Sequence, residues 1–116
     1  MTEVMQNYDF EDAKYGNTYD PVTISLAADP PLSLTGAEIY MQLRKKPGDI
    51  IAAEFSTENK KIVIVDETTF EFAEQIIDVA PDSYVYDILI VFENGRRETY
   101  IGGKWVIQPT TTRKKP

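Results

Sequence analysis

Along most of this chain apolar residues fall at every second position, turn-forming residues interrupt them about every ten positions, and no long stretch repeats with a helical period. Successive side chains of a strand point to opposite faces, so this pattern commits the chain to half-buried strands. "VTISLA" (22–27) places Val22, Ile24 and Leu26 on one face. "AEIYMQLRK" (37–45) sets Ile39, Met41 and Leu43 against Glu38, Tyr40, Gln42 and Arg44. "IIAAEFS" (50–56), "KIVIV" (61–65) and "FEFAE" (70–74) repeat the alternation, and "NYDFED" (7–12) opens it.

Turn chemistry separates these runs. Gly16-Asn17 and Asp20-Pro21 mark reversals, and the adjacent prolines of "ADPPLSLTG" exclude a central strand. "KPGD" (46–49) places Pro47 and Gly48 at the centre of a type II turn. Asn94-Gly95 predicts a two-residue type I′ turn joining "YVYDILIVF" to the last strand. Gly102-Gly103 reads as a β-bulge or a bend that lets that strand curve. "AEQIIDVAPDS" is the one helical candidate: a short crossover near 73–80, with Ile76, Ile77 and Val79 packing down and Pro81 ending it.

The expected fold is therefore all-β, an immunoglobulin-like antiparallel β-sandwich of seven to eight strands with one short helical crossover. Residues 1–108 form a single domain, and 109–116 form an exposed basic tail with no apolar residue to bury. Its 116 residues suit one domain.

Composition removes whole classes of chemistry. There is no cysteine and no histidine, hence no disulfide, no thiolate metal site and none of the commonest general base. The net charge is −7; Arg113, Lys114 and Lys115 contribute +3, so the rest carries −10. Such a body repels phosphate backbones and argues against nucleic-acid binding. No apolar run approaches the ~20 residues of a spanning helix, so membrane insertion is not expected. The acidic start lacks the pattern of a secretory signal.

Few groups are left to carry chemistry. Asp66 with Glu67, or Glu71 with Asp87, could pair as acids, although solvated strand faces and turns explain them as well. Asp87 interrupts an apolar strand; it is either a buried acid, an acceptor for a neighbouring loop, or a water-facing residue. Tyr40, Tyr84, Tyr86, Tyr100 and Trp105 could form an aromatic surface for sugars or a protein partner, which would make the chain a carbohydrate- or host-surface-binding module. Alternation, however, divides them between faces and favours the core for Trp105. No catalytic residue, metal ligand, cofactor or small-molecule substrate is expected. Tyr40, Tyr100, Arg113, Lys114 and Lys115 are the candidate partner contacts, the last three docking on an acidic neighbour or simply solubilising the terminus.

The order of features adds a resemblance. Leu34-Thr35-Gly36, Arg44, Tyr84, Tyr86 with Asp87, Asn94-Gly95, Gly103 and Pro109 resemble small phage and prophage tail proteins, including the N-terminal domain of siphophage upper baseplate proteins. The match runs over roughly residues 8 to 109, and Ser83 stands where the pattern has glycine. The resemblance implies a non-enzymatic virion module, made in the bacterial host cytoplasm. It would attach to other virion proteins or to itself as a homo-oligomer. With no long fibre or coiled-coil extension after Pro109, an adaptor, connector or decoration subunit is the expected form.

Overall fold

The computed structural model describes residues 6–26 and 33–112. Every regular element among them is a strand: β1 (Gln6–Asn7), β2 (Ala13–Lys14), β3 (Thr18–Tyr19), β4 (Val22–Ser25), β5 (Glu38–Arg44), β6 (Ala53–Ser56), β7 (Ile62–Ile64), β8 (Thr69–Phe72), β9 (Gln75–Ile76), β10 (Asp82–Val91) and β11 (Arg97–Gln108). The chain is all-β, in several sheets. One sheet has the order β1-β11-β10-β5-β6 with β2 also on β11, a second has the order β4-β8-β7, and β3 pairs with β9.

The longer strands follow the alternation, except that β6 buries Phe55 and Ser56 in succession and β11 buries Ile101 and Gly102. Ile39, Met41 and Leu43 of β5, and Tyr84, Tyr86, Ile88 and Ile90 of β10, are buried, with polar or half-exposed residues between them. The run at 50–56 starts later than its composition suggests: Ile50 is 83% exposed and pairing begins at Ala53.

Three local expectations need correction. The segment 73–80 is extended, not helical: Ile77 and Val79 are buried while Ile76 is 65% exposed. Ile76, Ile77 and Val79 fit one helical face about as well as an extended chain, and residues 16–19 decide between them. Gly16 N–H donates to the Ile77 carbonyl, Ile77 N–H donates to that of Asn17, and Thr18 lies opposite Ile76.

The β10–β11 connection is a three-residue loop and not a type I′ pair. Gly95 N–H donates to the Phe92 carbonyl, and Phe92 N–H to that of Arg96. Only Gly95 has positive φ, +90°, and Asn94 accepts from Arg96 N–H through its side chain. This is a turn followed by a left-handed glycine, the usual three-residue solution. By contrast, Asp49 N–H closes on the Lys46 carbonyl around Pro47 and Gly48, with φ +83° at Gly48, as a type II turn requires.

The bulge in β11 falls at Tyr100. Ile88 faces Ile101 and Leu89 faces Thr99, whereas Gly102 and Gly103 stay in register with Asp87 and Tyr86. Gly103 has another purpose. A Cβ on Gly103 would stand 2.1 Å from the Tyr8 carbonyl oxygen, so only glycine lets the N-terminal segment pass.

That segment runs parallel to β11, a departure from the purely antiparallel expectation. Gln6 pairs with Ile101 and Ala13 with Ile107, while Tyr8 and Phe10 N–H groups donate to the Gly102 and Lys104 carbonyls. It carries Phe10 into the core. Phe10 meets Trp105 at 4.9 Å, Tyr86 at 5.2 Å and Phe72 at 5.4 Å, and Phe72 meets Trp105 at 5.5 Å. Since Phe72 belongs to β8 and Trp105 to β11, this cluster is where the three-stranded and six-stranded sheets meet. Pairs of this kind contribute about 0.5–1.5 kcal/mol each beyond the area they bury.

Gly103→Ala is expected to destabilise the fold by about 1–3 kcal/mol, because the Tyr8 backbone must move. Urea unfolding measures the loss, and hydrogen exchange at the Tyr8 and Phe10 amides should speed up. Lys104→Ala, an exposed neighbour on the same strand, should stay within about 0.5 kcal/mol of the parent.

Candidate functional site

The residues with most chemical interest fall on two surfaces. The outer face of the six-stranded sheet carries Asp87. It stands between Gly102 of β11 and Gln42 of β5, and its side chain is exposed. Gln42 donates to Glu54 at 2.7 Å and accepts from Arg44 at 2.7 Å, and Arg44 also donates to the Asp49 carbonyl. Gln42, Arg44 and Asp87 line an open recess of about 360 Å³ together with Val85, Pro47 and Gly48. Of the three roles open to Asp87, the water-facing one is what the register enforces, since Tyr86 and Ile88 take the core side.

The second surface is a recess of about 430 Å³ beside the N-terminal segment, lined by Tyr8, Glu11, Thr18, Tyr19 and Asp20 among others. Tyr8 is 41% exposed, its ring edge-on to Phe10 at 5.5 Å. Tyr19 donates through its hydroxyl to the Glu11 carbonyl at 2.7 Å and packs against Trp105 at 5.0 Å. Burial, and then the Glu11 carboxylate, push the Tyr19 phenol up to about 12. Sequence reasoning assigned these two tyrosines no role, because only the parallel docking of residues 6–14 brings Tyr8 next to Tyr19.

Most of the other candidates belong to the frame. Trp105 is fully buried and its indole N–H donates to the Glu11 carbonyl at 3.0 Å. Tyr84 donates to the Ala80 carbonyl at 2.6 Å, and burial raises its phenol. Tyr86 donates to the Tyr8 carbonyl, and burial raises its phenol further. Leu34 is buried at the turn into β5, closed by Ala37 N–H on the Leu34 carbonyl, and Gly36 sits beneath the Glu93 side chain.

The proposed contacts separate. Tyr40 lies on the outer face of β5, where its hydroxyl donates to Glu38, a bond that raises its pKa. Tyr100 is half-buried at the bulge, edge-on to Phe92 at 6.4 Å. Arg113, Lys114 and Lys115 lie outside the described residues. Before them, Thr110 still touches the body, its hydroxyl donating to the Tyr15 carbonyl at 3.0 Å.

The suggested acid pairs do not converge. Glu71 accepts from Thr23 at 3.5 Å on the three-stranded sheet, while Asp87 is on the other sheet. Asp66 accepts from Thr68 N–H at 2.9 Å within its turn, a bond that lowers its pKa. Among the described residues no group of three acids is placed to hold a metal ion, and no helix is long and apolar enough to cross a membrane. No protein-family model and no curated protein sequence matches the chain.

The buried phenols give the fold an alkaline limit. Above pH 10 the unfolded chain releases tyrosine protons that Tyr19 and Tyr86 retain in the folded state, so stability falls as pH rises from 10 towards 12. Urea midpoints taken across that window should decline, and Tyr19→Phe should flatten the decline.

Proposed function

We propose that this chain is a non-enzymatic structural protein of a phage or prophage particle. It would serve the tail, baseplate or head–tail connector region as an assembly or adaptor module working through protein–protein contacts. Its frame is proposed to be an immunoglobulin-like β-sandwich. Three features support that frame. The order β11-β10-β5-β6 parallels the G, F, C and C′ strands of such domains, and β4-β8-β7 parallels B, E and D. The Tyr84 hydroxyl reaching back to Ala80 has the form of a tyrosine corner.

One observation carries the role. Most of the residues behind the resemblance to phage tail proteins are occupied in building the frame, Arg44 and Asp87 on the outer face being the exceptions. Leu34 and Gly36 make the turn into β5, Tyr84 ties down the approach to β10, and Tyr86 and Gly103 receive the Tyr8 backbone. The acids are dispersed over separate faces and turns. A fold organised this way suits a module that positions neighbours. The test is immunodetection of the chain in purified particles from an induced lysogen. Expected is a fixed copy number per particle; absence from particles, with no virion genes beside its own, would sink the assignment.

A second reading, a carbohydrate- or host-surface-binding module, is favoured by the recess where the exposed Tyr8 ring stands beside Glu11 and Asp20. An aromatic face with nearby acceptors suits a sugar's C–H face and hydroxyls. On that reading a glycan array gives hits that Tyr8→Ala removes. An array without hits discards it.

A further inference from the structure

The two strands that follow one another across the Thr57–Lys60 turn leave their outer edges in different states. β6 is the last strand of its sheet, and one side chain takes up two of its backbone groups. Asn59 donates to the Glu54 carbonyl at 3.0 Å and accepts from Ser56 N–H at 3.0 Å. On β7, the last strand of the three-stranded sheet, Asn59 reaches only Lys61 N–H, just before the strand begins, and among the described residues no side chain covers Ile62 or Ile64. Ala73 N–H donates to the Lys61 carbonyl and Val65 N–H to that of Thr69, so the Lys61 carbonyl, Val63 and the Val65 N–H face β8, while the Lys61 N–H is held by Asn59 at 3.1 Å. Ile62 and Ile64 therefore direct N–H and C=O outward. Along that edge runs an open, mainly apolar recess of about 340 Å³, bordered by Thr57, Lys60, Ile62, Val63 and Ile64. Val63 and Val65 stand 46% and 56% exposed on the outer face.

An uncovered edge of this kind is a template for another strand. The charges around it specify which. The strand reads "KKIVIVDE", with Lys60 and Lys61 exposed at one end and Asp66 and Glu67 exposed at the other. Glu58, in the turn, leaves the lysine end with a net +1. A strand with opposite charges at its ends is complementary to itself when reversed. We propose that β7 is a homodimerisation edge, pairing antiparallel with β7 of a second copy about a two-fold axis at Val63. In this register Ile62 of each copy exchanges backbone hydrogen bonds with Ile64 of the other, and Val63 faces Val63. Each lysine end meets the other copy's Asp66 and Glu67. The two three-stranded sheets become one continuous sheet across the axis, an isologous contact that closes at two copies. The opposite edge, β4, has Pro21 before it and Thr23 and Ser25 at its outward positions, with no matching charges. The contact is short, so the dimer is a weak one. The pairing follows from the edge itself and does not rest on the virion assignment.

Sedimentation equilibrium of the full chain over a concentration series tests it, with hydrogen exchange at the Ile62 and Ile64 amides read in the same samples. Expected is reversible monomer–dimer association, with both amides slowing as concentration rises. Val63→Lys, at an exposed position, should weaken association at least about tenfold by placing like charges at the axis. Val65→Lys, which faces Lys61 of the other copy, is the second variant should the first not fold. Lys60→Glu with Lys61→Glu should weaken association as well. Adding Asp66→Asn and Glu67→Lys, which keeps an acceptor for Thr68 N–H, should restore it. A chain that stays monomeric to about 1 mM overturns the proposal. So does association that is unchanged in folded Val63→Lys, with both amides indifferent to concentration. Incorporation into particles is read separately, so either assignment can fail while the other stands.

Discussion

Phe10 is the residue on which the two sheets jointly depend. It is delivered by a segment with only four residues in regular pairing, yet it touches Trp105, Tyr86 and Phe72, which come from three long-range strands. Its backbone has to lie against β11 for the ring to reach that position. Three separate features make room for it or hold it there. Gly103 has no side chain to obstruct Tyr8, Tyr86 donates to the Tyr8 carbonyl, and Trp105 donates to the Glu11 carbonyl. Each satisfies or accommodates a backbone group that would otherwise be buried at cost.

Charged groups follow the opposite logic and stay out of the core. Ion pairs such as Lys45–Asp82, at 3.1 Å, are solvent-exposed and contribute little. Side chains instead close the ends and edges of strands: Asn59 on β6, Asn94 in the β10–β11 loop, Asp66 in the β7–β8 turn. A chain with this many strands has to manage its edges, and the care taken at β6 is what sets β7 apart.

How far these features could be read from residues alone depended on the range of the interaction. Alternation located the longer strands because burial of one face is a local property. It failed at Ile76, Ile77 and Val79, where three apolar residues fit two periods and the deciding partners lie some sixty positions earlier. Asn94-Gly95 signalled the hairpin correctly, but its loop gained a residue because only glycine took positive φ. Gly102-Gly103 was visible as an irregularity, yet its cause, the passage of Tyr8, comes from the far end of the chain. The same applies to the candidate surfaces. Tyr8 and Tyr19 share a recess through parallel pairing that no local pattern encodes. The charges flanking β7 were in plain view, while the openness of its edge depends on where β6 and β8 lie.

The parallel course of residues 6–14 beside β11 also bears on how the domain carries load. Gln6 aligns with Ile101 and Lys14 with Gln108, so a pull along the chain at Gln6 and Gln108 draws the two strands past each other lengthwise. The bonds from Tyr8, Phe10 and Tyr15 to β11 then share the tension together, where an end-to-end hairpin would open one bond at a time. Phe10, keyed between the sheets, adds a steric stop to the same sliding motion. The seam is thus a shear joint, stiffest against tension applied between Gln6 and Gln108.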